Sequence, residues 1–353
     1  MRLLQKTVSK ITKVDYSLAE EAQKRLDNLT KPQGSLGRLE EIAKQMVIIT
    51  GDIRPAVKNK VIFTIAADHG VVSEGVSAFP KEVTPQMVYN FLKGGAAINV
   101  LARHTGVKVI VVDMGVAVDL ESHPGLIIKK IDYGTKNMAE GPAMSREKAI
   151  ASIEGGIEIF EAEYAKGIDI AGTGDMGIGN TTPSAAIAAV VTGKSVEEIA
   201  GRGTGLDDAG LSKKIVAIKK AIKINAPQPT DGLDVLAKIG GFEIGGLAGV
   251  ILAAAARKVP VVIDGFISTA AALIAYTIEP AVKEYMIAAH CSQEKGHRLM
   301  LAHMDLRPLL DLDMRLGEGT GAALGMSIIE ASVKILAEMA TFQSAGVSEH
   351  NDA

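Results

Sequence analysis

Six short apolar runs are spaced along the chain, and helical patterns lie between most of them. Most of these runs are apolar throughout rather than alternating with polar residues, which is typical of parallel strands covered by helices on both faces. They predict a doubly wound α/β fold with a mainly parallel, Rossmann-like sheet. The predicted strands are KVIFTIA (60–66), VKVIVVD (107–113), LIIKKID (126–132), GIDIAG (167–172), VPVVID (259–264) and YMIAAH (285–290).

Several predicted helices carry capping signals at their first residues. SLAE at Ser17 and SVEE at Ser195 have the form of capping boxes. Thr84-Pro85 has the form of an N-cap followed by proline at the first helical position. After Ser35, apolar residues recur at helical spacing as far as Val47.

The two ends of the chain differ from its middle because they lack strand patterns. Residues 1–30 and about 320–345 have helical patterns only. We therefore expect a small helical domain formed by residues 1–30 plus 320–353. It would lie beside an α/β substrate-binding and catalytic domain of residues 31–319. The tail SAGVSEHNDA has the composition of a frayed end.

Composition and charge exclude several classes of function. The net charge is −3 and the Lys and Arg residues are scattered, so a nucleic-acid surface is not expected. Cys291 is the only cysteine, which fits a reducing, cytoplasmic compartment. The longest apolar tract contains Asp264 and Gly265, so it is interpreted as a strand, a turn and a buried helix rather than a membrane span.

Two glycine-rich segments are candidates for binding phosphate. Gly172, Gly174 and Gly177 match G-x-G-x-x-G after a predicted strand, and GRGTGLDDAG (201–210) follows about 25 residues later. Glycines between a strand and a helix free backbone N–H groups to surround an anion. The alternative is that each segment is a tight turn that packs a strand against a helix. The candidate phosphate and ribose residues are Gly174, Gly177, Gly179, Asn180, Thr181, Thr182, Gly203, Thr204 and Lys213.

The residues around these glycines indicate which class of phosphate compound the two segments would bind. A dinucleotide site needs an acidic residue at the end of the next strand, whereas Glu197 and Glu198 stand at a predicted helix start. The G-K-[ST] lysine of nucleotide triphosphatases is also missing. A mononucleotide or a sugar phosphate therefore fits best. An NAD-dependent oxidoreductase and a non-catalytic nucleotide-binding module stay open as alternatives.

One carboxylate, Glu318, stands between Gly317 and Gly319 in the segment DLDMRLGEGTGAAL (311–324). Glycines on both sides let the backbone approach another group closely or adopt angles that a side chain forbids. Glu318 is therefore a candidate catalytic residue. Asp175, at the centre of GTGDMG, is a second candidate.

Eight ordered motifs resemble the nicotinate-nucleotide–dimethylbenzimidazole phosphoribosyltransferase family, which acts in assembly of the lower ligand of cobalamin. The resemblance covers residues from about 15 to 340. The motifs are LTKPQGSLGRLE (29–40), AADHGV (66–71), GVSAFPKEVTPQMV (75–88), GGAAINVLA (94–102), GTGDMGIGNTT (172–182), GRGTGLDD (201–208), EKGH (294–297) and LDLDMRLGEGTGAAL (310–324).

The resemblance implies a reaction in which nicotinate mononucleotide and a benzimidazole give α-ribazole 5′-phosphate and nicotinate. It also implies a homodimer that uses no metal or organic cofactor, and it places the family's catalytic base on Glu318. Many relatives have Glu where this chain has Asp175. Asp175 either stabilises positive charge on the ribose, holds a water or hydroxyl group, or caps the following helix.

The reaction needs one base, since the nicotinate ring leaves as a neutral nitrogen and the benzimidazole must lose a proton. Attack opposite the leaving group inverts C1′. A flat acceptor also needs an apolar slot. Six residues are candidates to line it, and the alternative is that they are ordinary core residues. They are Ser77, Phe79, Gln86, Met87, Met176 and Leu316.

Two further features carry weaker expectations. His290 and His297 are too far apart in sequence for common zinc-ligand spacing, so no metal site is expected. The glycines of GGFEIGGLAGVILAAAA (240–256) indicate either a dimer seam or tight internal packing, and Glu243 between them is a candidate to hold a polar substrate group.

Overall fold

The computed structural model describes residues 2–348, and within them six parallel strands form one sheet. Their order in the sheet is β3-β2-β1-β4-β5-β6, which confirms the predicted doubly wound α/β fold. All six predicted strands are present, although β3, β5 and β6 are shorter than their apolar runs and β4 extends further along the chain. The strands are β1 (Lys60–Ala67), β2 (Lys108–Gly115), β3 (Leu126–Ile128), β4 (Ile170–Met176), β5 (Val261–Ile263) and β6 (Met286–Ala288).

Fifteen α-helices surround this sheet within the described residues. Their bounds are α1 (Leu3–Val8), α2 (Ala19–Asp27), α3 (Arg38–Thr50), α4 (Val83–Leu92), α5 (Ala97–Thr105), α6 (Arg146–Tyr164), α7 (Thr181–Thr192), α8 (Val196–Ile199), α9 (Asp208–Asn225), α10 (Gly232–Ile239), α11 (Phe242–Ala256), α12 (Phe266–Ile278), α13 (His297–His303), α14 (Thr320–Glu338) and α15 (Phe342–Ala345).

Each face of the sheet has its own core. Successive side chains of a strand point to opposite faces, so Phe63 and Ile65 belong to a different cluster from Ile62. The first cluster joins the sheet to α6, α7, α10, α11 and α12. The second joins it to α3, α4, α5 and α14. The strands are therefore apolar throughout because both of their faces are covered.

The strand order reverses between β1 and β4, which are neighbours in the sheet although two strands separate them along the chain. In open α/β sheets, ligands bind beyond the carboxyl ends of the strands at such a reversal. Asp68 and His69 follow β1, and Gly177 follows β4. This edge of the sheet is therefore where a substrate site is expected.

Helix α14 is the one helix among residues 2–348 that is long and apolar enough to cross a membrane. Ala322, Met326 and Ile329 on this helix are fully buried in the second core. Its apolar composition is explained by this packing against the sheet.

The chain ends meet in a third, smaller apolar cluster. Leu26 of α2, Ala43 and Val47 of α3, and Leu336 of α14 are all buried there. The proposed division into residues 1–30 plus 320–353 and residues 31–319 stays a prediction. The last five residues of the predicted frayed tail lie outside the described part of the chain.

Of the three predicted helix starts, one is confirmed and two are wrong. Ser195 forms the predicted capping box with Glu198. Ser17 does not cap a helix, because Asp15 instead accepts the Ser17 N–H in a 3₁₀ turn before α2. Thr84 lies inside α4, and its hydroxyl oxygen accepts the N–H of Ile178 at 3.0 Å. It thus ties α4 to the glycine segment after β4.

The glycines of α11 pack against α6. A methyl group added at Gly156 of α6 would overlap the carbonyl oxygen of Gly246, and one added at Gly249 would overlap the carbonyl oxygen of Ile153. The two helices therefore approach with backbone against backbone, which explains the small residues between 240 and 256 as internal packing.

Replacing Gly156 with Ala tests this contact. We expect a loss of about 2–3 kcal/mol in the free energy of unfolding, because the two backbones must separate to admit the methyl group. Chemical denaturation measures the change. The matched control is Gly141→Ala, where an added methyl meets no atom within 4 Å, and where we expect a change of about 0.5 kcal/mol or less. Equal effects of the two substitutions would contradict the packing argument.

Candidate active site

A cavity of about 390 Å³ opens at the carboxyl edge of β4 and β5, next to the reversal of strand order. Loops after β4, β5 and β6 and the segment before α14 form its walls. Eleven of the residues predicted from sequence line it: Phe79, Met87, Asp175, Met176, Gly177, Asn180, Thr181, Gly203, Thr204, Leu316 and Glu318.

The glycines of the G-x-G-x-x-G match do not form a single phosphate turn. Gly172 and Gly174 lie inside β4, because the strand continues to Met176. A methyl group at Gly174 would overlap the carbonyl oxygen of Glu318, so this glycine lets β4 and the Glu318 segment touch. In a dinucleotide-binding motif the glycines instead follow the strand. The match therefore gives no support to an NAD-dependent oxidoreductase.

Glu318 is held in an unusual backbone conformation at the cavity wall. Its φ is 65°, between Gly317 at 86° and Gly319 at 97°, which is a region that non-glycine residues seldom adopt. The residue is 5% exposed, and its Oε2 accepts the N–H of Ile98 at 3.2 Å, at the start of α5. Burial raises the pKa of Glu318, while the Ile98 N–H acts in the opposite direction. These features suit a carboxylate that accepts a proton.

Asp264 fixes the segment that carries Glu318. It follows β5 and is fully buried, with Oδ2 accepting the N–H of Gly319 at 3.1 Å and Oδ1 accepting the N–H of Ala322 at 2.9 Å. It thereby caps α14 from outside the helix. Burial raises the pKa of Asp264 to about 7, although these backbone N–H groups favour the charged form.

Asp175 lies at the end of β4 and is also 5% exposed. Asn180 donates a hydrogen bond from Nδ2 to Oδ2 at 3.0 Å, while Oδ1 has no partner. The pKa of Asp175 is well above its usual range, first because of burial and then because of the negative charges of Asp264 and Glu243.

His69 and Glu243 form a buried pair close to these carboxylates. The distance between His69 Nε2 and Glu243 Oε1 is 2.6 Å. Burial lowers the pKa of His69, but the charge and hydrogen bond of Glu243 outweigh it, so the pKa lies above its usual value. A methyl group at Gly177 would contact the His69 ring, so the pair supports the glycine segment from behind.

Lys214, the neighbour of Lys213, contacts Thr181 at the wall of the cavity. Lys213 is exposed on α9, whereas Lys214 is buried. Its Nζ donates to Thr181 Oγ1 at 2.7 Å and to the Gly201 carbonyl oxygen at 3.2 Å. Burial lowers the pKa of Lys214 to about 8, and Glu294 acts in the opposite direction. The role predicted for Lys213 stays a prediction, and Lys214 becomes a second candidate because its side chain contacts a residue that lines the cavity.

Two helices begin at the cavity. Asn180 and Thr181 at the start of α7, and Gly265, Phe266 and Ile267 at the start of α12, are among its lining residues. Neither helix has a side-chain cap. At the start of α12, the N–H groups of Phe266, Ile267 and Ser268 lack acceptors within the helix and carry positive partial charge. At the start of α7 only Thr181 can contribute in this way, because Thr182 donates to the Gly179 carbonyl oxygen and Pro183 has no N–H. Together with Lys214 they provide a place for a phosphate group.

An apolar slot lies on the other side of Glu318. Phe79 and Leu316 are 51% and 57% exposed, and Met87 and Met176 lie deeper. The second glycine segment is joined to this slot, because Thr204 Oγ1 accepts the Ala78 N–H at 3.1 Å.

Six predicted residues do not line the cavity. Ser77 accepts the Phe79 N–H at 3.2 Å, Gln86 is exposed on α4, and Thr182 is buried in the first turn of α7. Gly179 has a φ of 88° and turns the chain toward α7. Gly174 and Lys213 are the other two.

Sequence reasoning missed several residues of this cavity and of its support. Asp264, which holds the Glu318 segment, follows β5, and His290, which lines the cavity, lies two residues after β6. The rule that ligands lie beyond the carboxyl ends of strands would have indicated both. No sequence signal indicates Arg315, whose Nη1 donates to the Gly203 carbonyl oxygen at 2.8 Å. The other unpredicted lining residues include Gly265, Phe266, Ile267, Ser292 and Glu294.

Comparisons with known proteins agree with this geometry. A family model described as Phosphoribosyltransferase matches residues 11–347. The chain is 61% identical to a nicotinate-nucleotide–dimethylbenzimidazole phosphoribosyltransferase of Geotalea uraniireducens and 59% identical to one of Desulforudis audaxviator, with 99% of each chain covered.

A solved structure gives the same result. The crystal structure of the protein of that name from Thermus thermophilus matches with a TM-score of 0.91 and 44% identity, and covers 95% of this chain and 100% of its own. The chain is therefore a phosphoribosyltransferase and belongs to the nicotinate-nucleotide–dimethylbenzimidazole phosphoribosyltransferase family.

Proposed function

We propose that this enzyme transfers the phosphoribosyl group of nicotinate mononucleotide to a benzimidazole-type base, giving α-ribazole 5′-phosphate and nicotinate. Glu318 acts as the general base, and C1′ is inverted. The observation that carries the proposal is the position of Glu318, which lines one cavity together with an apolar slot and a phosphate cradle. The names of the relatives support the same reaction, and the family resemblance implies a role in making cobalamin.

The phosphate cradle explains how the donor is held. Gly177, Gly203 and the first turns of α7 and α12 surround one end of the cavity, and Lys214 lies behind Thr181. A phosphate dianion gains from backbone N–H groups at helix starts and from a nearby ammonium group. This arrangement fixes the ribose while leaving C1′ toward Glu318.

The slot and Glu318 explain how the acceptor is activated. A flat heterocycle between Phe79, Leu316 and Met176 can direct one ring nitrogen at C1′ and its N–H at the Glu318 carboxylate. Removal of that proton makes the attacking nitrogen more electron-rich. The nicotinate ring needs no acid, because it leaves as a neutral ring nitrogen.

Positioning supplies the larger share of the rate. General base catalysis contributes about 10²–10⁴-fold, or roughly 3–5 kcal/mol. Holding the two rings on opposite faces of the ribose supplies on the order of 7–11 kcal/mol at best. That opposite placement is also what inverts the β-linked donor to the α product. We propose in addition that the enzyme works as a cytoplasmic homodimer without an organic cofactor, on the basis of the family resemblance.

Replacing Glu318 with Gln tests the base. The amide keeps the shape but cannot accept the proton, so we expect kcat to fall by about 10²–10⁴-fold. Nicotinate release in the presence of a benzimidazole measures this rate. Glu338→Gln, an exposed change at the far end of α14, is the control and should leave kcat unchanged. Turnover of Glu318→Gln near that of the wild type would remove Glu318 from the mechanism.

The pH dependence of kcat/KM tests the same carboxylate. The base must be ionised, and burial raises the pKa of Glu318 above 4.5. As pH falls through the raised value, Glu318 takes up a proton and kcat/KM declines. The decline of kcat/KM on the acidic side is therefore expected above the pH at which an exposed glutamate titrates. In Glu318→Gln, the residual activity is expected to lack the part of this decline that comes from protonation of Glu318. An acidic limb at or below the ordinary glutamate value would contradict a desolvated base.

The matched substitutions Lys214→Met and Lys213→Met test the phosphate side. Loss of the buried ammonium group is expected to raise KM for nicotinate mononucleotide by about tenfold or more, because a charged hydrogen-bonding group is removed. The exposed neighbour is expected to change KM by about twofold or less. Initial rates at varied donor concentration, with unfolding midpoints to check the fold, provide the comparison. A larger increase in KM for Lys213→Met than for Lys214→Met would support Lys213 as the phosphate-binding lysine, as predicted from sequence.

A further inference from the structure

Four carboxylates crowd the carboxyl edge of the sheet. Asp175, Glu243, Asp264 and Glu318 are all buried. Two imidazoles are buried with them, His69 beside Glu243 and His290 near Asp264. The charges of Asp264, Glu243 and Glu318 all act on Asp175, so the four groups are close neighbours. Like charges in a dry site cannot all be ionised, because each destabilises the others. At least one of the four must hold a proton.

Three of the four have partners that favour a negative charge. Asp264 accepts the N–H groups of Gly319 and Ala322 at the start of α14. Glu243 contacts His69 Nε2 at 2.6 Å. Glu318 accepts the Ile98 N–H at the start of α5. A helix start or an imidazolium group stabilises a carboxylate.

Of the four carboxylates, Asp175 has the contacts that stabilise a negative charge least. Its Oδ2 accepts one hydrogen bond, from the neutral amide of Asn180. Its Oδ1 is buried and has no partner. Asp175 also lines the cavity between Glu318 and the phosphate cradle that includes Thr181. The unpartnered oxygen is therefore at the level of the ribose in the proposed complex.

We propose that Asp175 works as a neutral carboxylic acid, whose Oδ1–H donates a hydrogen bond to a hydroxyl oxygen of the donor's ribose. The proposal rests on the proposed function, since it takes the phosphoribosyl group as the ligand. It assigns Asp175 one of the roles that the sequence left open and excludes stabilisation of a ribose cation by this side chain. The direction of the pKa shift of Asp175, well above its usual range, agrees with it.

Glu243 and His69 then act as positioning residues rather than catalytic ones. The charge of Glu243 helps keep the proton on Asp175, and His69 holds Glu243 in place. A neutral Asp175 also leaves the site less negative, which favours a donor that carries both a phosphate and a carboxylate group.

Two substitutions of Asp175 separate a neutral donor from a carboxylate. In Asp175→Asn, the amide oxygen can still accept the Asn180 N–H and the amide NH₂ takes the place of Oδ1–H. We expect kcat/KM for the donor within about tenfold of the wild type. In Asp175→Ala both hydrogen bonds are lost, and we expect a fall on the order of 100-fold. Unfolding midpoints of both variants check that the fold is retained.

Infrared spectroscopy tests the proton itself and needs no turnover. The difference spectrum between the ligand-free wild type and Asp175→Asn at neutral pH is expected to show the carbonyl stretch of a protonated carboxylic acid. Glu243→Gln removes one neighbouring negative charge, so this band should disappear at a lower pH than in the wild type.

Two results would overturn the proposal. One is a difference spectrum with carboxylate bands and no protonated band. The other is an Asp175→Asn enzyme as impaired as Asp175→Ala while both remain folded. A wild-type enzyme that releases no nicotinate with any acceptor would defeat the proposed function instead, and the infrared result would still decide the state of Asp175.

Discussion

The carboxylate of Asp264 at the start of α14 is the interaction on which the site depends. Asp264 accepts the N–H groups of Gly319 and Ala322, and so joins the end of β5 to the first turn of α14. Helix α14 packs on the face of the sheet that carries the second core. Glu318 immediately precedes this junction and is held at a positive φ. An unfavourable backbone angle persists only where surrounding contacts fix it. The Asp264 cap is such a contact, and Thr64 adds another through the Glu318 carbonyl oxygen.

The same edge of the sheet combines two opposite electrostatic environments. At one end, the first turns of α7 and α12 and the buried Lys214 favour an anion. At the other, the carboxylates of Asp264 and Glu318 favour protons or positive charge. The proposed donor, a phosphorylated sugar that carries a pyridinium ring, has the matching distribution of charge. The cavity can therefore orient this donor through both of its ends.

The sequence predicted the fold well because apolar periodicity reports burial. All six strands were located, since parallel strands covered on both faces leave continuous apolar runs. Within the site, Glu318 and Thr181 were found because glycines and hydroxyl groups stand out against such runs. Lys214 was missed because two adjacent lysines cannot be told apart from sequence. The orientation of α9 in the fold is what buries Lys214 and exposes Lys213. Thr84 failed as a cap because it makes a tertiary contact with Ile178, and Ser17 failed because Asp15 begins a 3₁₀ turn there instead.

The contact between Gly174 and the main chain of Glu318 has a wider consequence for how this fold can diversify. Glu318, the proposed base, is fastened to a central strand, whereas Phe79 of the apolar rim lies on exposed chain outside the sheet. Changes at that rim can reshape what the enzyme accepts without disturbing the group that performs the chemistry. Selection for new ring systems and preservation of turnover thus act on separate parts of the molecule.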